Sequence, residues 1–180
     1  MPLIYKFKHW MLHPFSRKNS QGLWYSRNLE KHQKLILSES EMLGILEEFD
    51  VILPVPRKVR YSIERHYQKY HDISDLEKVR QIISERHPDY LDSFDQTMQS
   101  NLLYANNMFI IKQEHFQQFM EWWFDILFRF EEQTQLEKYT GYQQRIFGFM
   151  AERLLTVWFR HHGLKVRELP LLYFKRLKYN

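Results

Sequence analysis

Residues 142–163 read Tyr-Gln-Gln-Arg-Ile-Phe-Gly-Phe-Met-Ala-Glu-Arg-Leu-Leu-Thr-Val-Trp-Phe-Arg-His-His-Gly. Such a run predicts a long helix from about Tyr142 to His162, with Gly163 as its C-terminal cap. Within it Arg145, Gly148 and Glu152 fall at i, i+3 and i+7, within about 60° of one another at 100° per residue. A glycine inside a helix costs roughly 0.5–1 kcal/mol relative to alanine, so it implies room for something to approach that face. Two occupants fit. One is a second helix crossing closely, with Arg145 and Glu152 as a structural ion pair. The other is a ligand, with Glu152 taking a proton or a sugar hydroxyl and Arg145 gripping an anionic oxygen bidentately.

Upstream, Gln113–Glu132 reads as another helix, whose apolar side chains sweep roughly 240° of its circumference against the ~100° stripe of a surface helix. It is expected to be covered on several sides. Leu102 to Ile111 alternates as a strand does, with Leu103, Ala105, Asn107, Phe109 and Ile111 on one face. Asn106 and Asn107 interrupt it, so one amide must face inward and find a partner in a turn-like backbone, a side chain or a ligand. Ser38, with Glu41 three residues on, opens a helix to Phe49. Asp50–Leu53 is a buried strand stopped by Pro54 and Pro56. Short helices follow from Ser62 to His71, Ser74 to Arg86 and Asp89 to Gln99, and Val166 to Tyr173 reads as a closing strand despite Pro170. The expectation is one α/β, helix-dominated domain over 1–180.

Composition removes several chemistries. The chain has 180 residues with no Cys, so disulfides, thiolate catalysis and Cys-ligated metals are excluded. Its five glycines form no phosphate-cradling loop. His66 and His71 lie about 140° apart on a helix, His161 and His162 are neighbours expected to point apart, and no H-E-x-x-H, D-x-D or G-x-S-x-G occurs. No metal site is expected. Residues 1–35 and 153–180 each hold seven basic side chains against one acid, leaving 4 − 12 = −8 for the middle. Basic, aromatic ends would suit an anionic membrane surface. Nucleic acid would attract the same ends, but the acidic middle argues against a dedicated nucleic-acid binder.

Five motifs in order carry a resemblance. They are Asp50-Val51-Ile52-Leu53-Pro54, Tyr67-x-x-Tyr70-His71-x-x-x-Asp75-Leu76, Asn107 through Lys112, Trp123 through Leu127, and Arg145-x-x-Gly148-Phe149-x-x-Glu152-Arg153-Leu154. Together they resemble the bacterial domain of unknown function carried by capsular and exopolysaccharide biosynthesis glycosyltransferases. The resemblance runs from about Phe49 to Pro170, which divides the chain into a divergent segment, 1–48, and a family-like core, 49–174. It implies part of a nucleotide-diphospho-sugar transferase (GT-A-like) fold, a nucleotide-diphospho-sugar as donor substrate and no certain cofactor. It also implies a glycan or lipid-linked acceptor, and a place in the cytoplasm, peripheral to the inner membrane face. His71, Asn107, Arg145, Glu152 and Arg153 occupy the motif positions. Glu152 is then the catalytic candidate, and the other four are substrate-binding candidates. The family's usual N-terminal strands and His-Tyr-Arg-Arg-like motif leave only Trp24-Tyr25-Ser26-Arg27 as a trace. The expectation is therefore a truncated, acceptor-side part or one half of a split enzyme. The alternative is a non-catalytic helical module that docks on a membrane or a partner through its basic aromatic ends.

Overall fold

The computed structural model describes residues 16–18, 24–26 and 33–174; most of the basic end 1–35 lies outside them, while 153–174 of the other lies within. Strands β1 (Ser16–Lys18) and β2 (Trp24–Ser26) precede α1 (Glu39–Glu48), β3 (Val51–Pro54) and β4 (Arg57–Lys58). Helices α2 (Ile63–Tyr70), α3 (Ile73–Arg86) and α4 (Leu91–Gln99) follow, then β5 (Leu102–Leu103) and β6 (Ile110–Ile111). The chain continues through α5 (Gln113–Glu132), α6 (Ile146–His162), β7 (Val166–Leu169) and β8 (Leu172–Phe174). Among the described residues the architecture is α/β with helices dominant and three small sheets, ordered β1-β2-β8, β6-β3-β7 and β4-β5.

Local chemistry sets most boundaries. Ser38 Oγ accepts from the Glu41 N–H while Glu41 Oε2 accepts from the Ser38 N–H, a complete capping box for α1. Ser62 and Asp72 cap α2 and α3 more simply, their side chains accepting from the Arg65 and Ser74 N–H groups. Gly163, at φ 56°, takes the left-handed conformation that ends α6. Val51, Ile52 and Leu53 are buried between the antiparallel β6 and the parallel β7.

Three expectations are corrected. The stretch from Leu102 to Ile111 is not one strand. Its ends pair with different partners, β5 with β4 and β6 with β3. Between them Asn106 (φ 78°) and Asn107 (φ 48°) turn the chain through the left-handed region, which Asn tolerates better than most residues. Pro170 divides the closing strand in two: β7 pairs with β3, and β8 pairs with β2. Helix α5 is not covered on several sides. Phe119, Trp122, Ile126, Leu127 and Phe130 are buried, but Phe116, Phe124 and Phe128 are 44%, 41% and 58% exposed.

The enclosed helix is α6. Every residue from Arg153 to Phe159 is buried, and α4 and α5 both pack on it. Trp123 Nε1 donates to the Ala151 carbonyl at 3.2 Å, and Phe119 meets Trp158 with ring centroids 5.1 Å apart. At its C-terminal end His161 and His162 do not diverge; both rings meet Tyr90.

Candidate functional site

The turn at Asn106 and Asn107 is fastened to α6 at two points one helical turn apart. Glu152 Oε1 accepts from the Asn106 N–H at 3.0 Å. Thr156 Oγ1 accepts from the Tyr104 N–H at 3.0 Å and itself donates to the Glu152 carbonyl. Glu152 is half-buried, and its second carboxylate oxygen has no hydrogen-bond partner among the described residues. Asn107 Oδ1 is buried without a partner. The turn thus supplies the backbone geometry expected for this asparagine pair and leaves one amide oxygen unspent.

The next residue, Arg153, is 3% exposed. Its Nη1 donates to the Phe149 carbonyl at 2.6 Å, and its guanidinium lies 4.6 Å from the centroid of the Tyr67 ring. Its Nε has no partner, and no carboxylate forms an ion pair with it among the described residues. Burial pulls the guanidinium down to about 10, an effect that Tyr67 and Glu152 oppose and Arg57 reinforces. It stays charged at neutral pH. Nearby, His66 has a buried, unpartnered Nδ1. Burial holds its pKa below the ordinary histidine value, and Arg57, Arg153, His71 and Lys69 push it further down. A cation buried without its counter-charge carries a desolvation cost of several kcal/mol, which an anion placed against it would offset.

His71, the C-cap of α2, lies against Tyr67 at 4.7 Å and Phe149 at 4.2 Å between ring centroids. Its Nδ1 is 2.7 Å from Gln143 Oε1. Gln143 Nε2 donates to the Tyr70 carbonyl, so Oε1 is the accepting end, Nδ1 carries the proton and His71 Nε2 is left as an acceptor. Burial, the largest influence, lowers the His71 pKa and favours this neutral form. Arg145 is exposed and lies over the rings of Tyr142 and Phe149 at 5.5 and 5.7 Å.

The five candidates therefore form a chain of contacts, not one cluster. Glu152 and the Asn106–Asn107 turn meet directly, Arg153 and His71 both meet the Tyr67 ring, and Arg145 shares Phe149 and Tyr142 with His71. Arg145 and Glu152 form no ion pair, and a Cβ built on Gly148 would meet nothing within 4 Å. The glycine face is open to an approaching group and is not a close helix crossing. Sequence reasoning missed Arg57 and weighed His66 only as a metal ligand; no motif marks either as a neighbour of Arg153. It also left Asp75 unpaired. Asp75 is buried, accepts from Tyr139 Oη at 2.5 Å, faces Tyr67 Oη at 3.5 Å and lies 3.7 Å from Lys78 Nζ. That hub pins the segment after α5 over α2 and α3. Between them opens a polar cleft of about 680 Å³, with His71 and Gln143 in its wall.

The protein thus combines a helix-dominated α/β fold with an open helix face near a buried arginine that has no ion-pair partner among the described residues. The profile of a family described as a domain of unknown function, DUF4422, matches residues 7–163. The chain belongs to that family. The match begins inside the stretch 1–48 that was set apart on sequence grounds. Among solved structures, the apo structure of the bifunctional glycosyltransferase WbbM superposes with a TM-score of 0.81 over 89% of this chain, at 23% sequence identity. The aligned part is 30% of that protein's chain, so the likeness concerns the fold of one portion of it. No curated protein matches significantly.

Proposed function

We propose that the protein transfers a sugar from a nucleotide-diphospho-sugar to a glycan acceptor, in the assembly of a bacterial capsular or extracellular polysaccharide at the cytoplasmic membrane face. The observation that carries this reading is Arg153: a buried guanidinium that has, among the described residues, no carboxylate partner and no partner for its Nε, adjacent in sequence to a half-buried carboxylate. The likeness to part of a glycosyltransferase fold supports it. In the reaction the acceptor hydroxyl attacks the anomeric carbon, a new C–O bond forms, and the bond from that carbon to the diphosphate breaks. Glu152, through its free oxygen, takes the acceptor's proton. Arg153 and Arg145 stabilise the charge gathering on the departing diphosphate. Asn107 Oδ1 accepts from a sugar hydroxyl, and His71 Nε2 does the same for the acceptor.

Calorimetry and turnover with a panel of uridine- and guanosine-diphosphate sugars test the proposal. Glu152→Gln is expected to lower transfer by about 10²-fold or more, the usual contribution of a positioned proton acceptor, with donor binding and the unfolding midpoint retained. A wild-type chain that binds no donor in the panel overturns it. A second reading, a non-catalytic docking module, draws on the exposed Phe116, Phe124 and Phe128 flank of α5. It is favoured if donors fail to bind while substitutions on that flank change association with a membrane or a protein.

A further inference from the structure

The cleft between the α2–α3 junction and the segment after α5 has a lining unlike the Arg153 site. Lys69, Lys78 and Lys138 stand around it, and the one carboxylate in its wall, Asp72, is occupied with the Ser74 N–H at 3.0 Å. Lys78 leans toward buried Asp75 at 3.7 Å, while Lys69 and Lys138 form no ion pair among the described residues. The side-chain amides of Gln133 and Gln135 have no hydrogen-bond partner among the described residues either. No aliphatic side chain lines the cleft, which argues against a lipid chain or an apolar ligand.

Each feature selects a ligand group. An amide offers a donor and an acceptor side by side, the arrangement that sugar hydroxyls need. An ammonium offers donors only, and three of them favour an anionic oxygen. His71 Nε2, left as an acceptor by the Gln143 contact, adds a hydroxyl partner in the same wall. The wall is held rigid by Tyr139 on Asp75 and by Gln143 on the Tyr70 carbonyl. His71 also rests on Tyr67, the ring that carries Arg153, so one buried aromatic ring lies between the cleft wall and that guanidinium.

We infer that this cleft is the acceptor-binding site and that it takes an acidic saccharide, one bearing a carboxylate or a phosphate. The inference rests on the transferase reading, because it supplies the acceptor that the reading requires. Lys69 and Lys138 hold the anionic group, and the amides and His71 hold hydroxyls.

The test uses the full chain and four probes: a glucuronic-acid-containing tetrasaccharide, its neutral glucose counterpart, galactose 1-phosphate and UDP-glucose. The acidic tetrasaccharide should bind roughly tenfold more tightly than the neutral one, the scale of one or two ammonium–anion contacts near a surface. Lys69→Glu/Lys138→Glu should erase that difference and leave UDP-glucose binding unchanged; both side chains are exposed, so folding is retained, as the unfolding midpoint will verify. Galactose 1-phosphate sorts the anion: competition with the tetrasaccharide shows that phosphate serves as well as carboxylate, and no competition confines the site to uronic acids. Equal affinity for acidic and neutral probes overturns the inference. So does loss of UDP-glucose binding in the double variant, which would make the cleft the donor site. If the saccharides bind as expected and no donor does, the cleft stands and the transferase reading falls.

Discussion

Helices α5 and α6 are both aromatic-rich, and the protein uses them in opposite ways. Helix α6 is enclosed on every side along Arg153–Phe159, with Trp158 fully buried between α5 and the α4 side of the core. Helix α5 buries one face and leaves Phe124 stacked on Phe128, centroids 5.4 Å apart, at the surface. The width of an apolar sector therefore does not measure how much of a helix is covered. What decides coverage is the number of elements the chain brings against it. Helix α6 lies among α4, α5 and the Asn106 turn, whereas among the described residues α5 packs mainly on α3 and α6, with Phe109 against Phe116 and Phe119.

The sharpest way to break this contrast is a pair of truncations. Trp158→Ala should cost about 3–5 kcal/mol of stability through lost burial and an unfilled cavity. Phe128→Ala, at an exposed position, should stay within about 0.5 kcal/mol. Urea unfolding of the two variants measures both. Similar losses would show that the α5 flank is covered in solution.

A second, intermediate effect concerns acid. Burial lowers the pKa of His66, His71 and His162 in the folded chain. Below the ordinary value of about 6.5 the unfolded chain takes up protons that these rings resist, so stability is complete above that pH and falls as pH drops toward the lowered values. Denaturant midpoints at pH 7.5 and 5.5 should differ in that direction, and His66→Gln should blunt the difference. A flat profile would mean that burial does not keep these three rings neutral.

The smallest effect is at Gly148, where a Cβ meets nothing within 4 Å. Gly148→Ala should stabilise α6 by about 0.5–1 kcal/mol. Under the proposed function it should also raise KM for a sugar substrate with little change in kcat. Stabilisation with no kinetic change would remove that face from the site.

Much of the fold was legible because its signals are local. Ser38 with Glu41, Val51–Leu53 before Pro54, and Gly163 all act within a few residues of the boundary they set. The stretch from Leu102 to Ile111 was misread for a physical reason. Alternation is satisfied equally by one strand or by two short ones joined by a turn, and only the partners, β4 and β3, distinguish them. Of the candidate site, Glu152 and the turn-like backbone at Asn106–Asn107 were readable from residue type, whereas Arg153 stood out only through the family resemblance. That Arg57 and His66 stand near Arg153, and that Asp75 joins Tyr67 to Tyr139, depends on contacts between distant parts of the chain. No spacing rule encodes those.

The two last strands have a consequence for biosynthesis. β3 and β2 are the middle strands of their sheets, and each has one edge closed only by β7 or β8. A nascent chain that has not yet released residues 166–174 therefore holds two half-finished ladders, one of them the apolar Val51–Leu53. Unpaired apolar edges are where growing chains join the wrong neighbour. Exposure to misassembly thus lasts until residues 166–174 have emerged, and ends when that one short segment stitches both sheets shut.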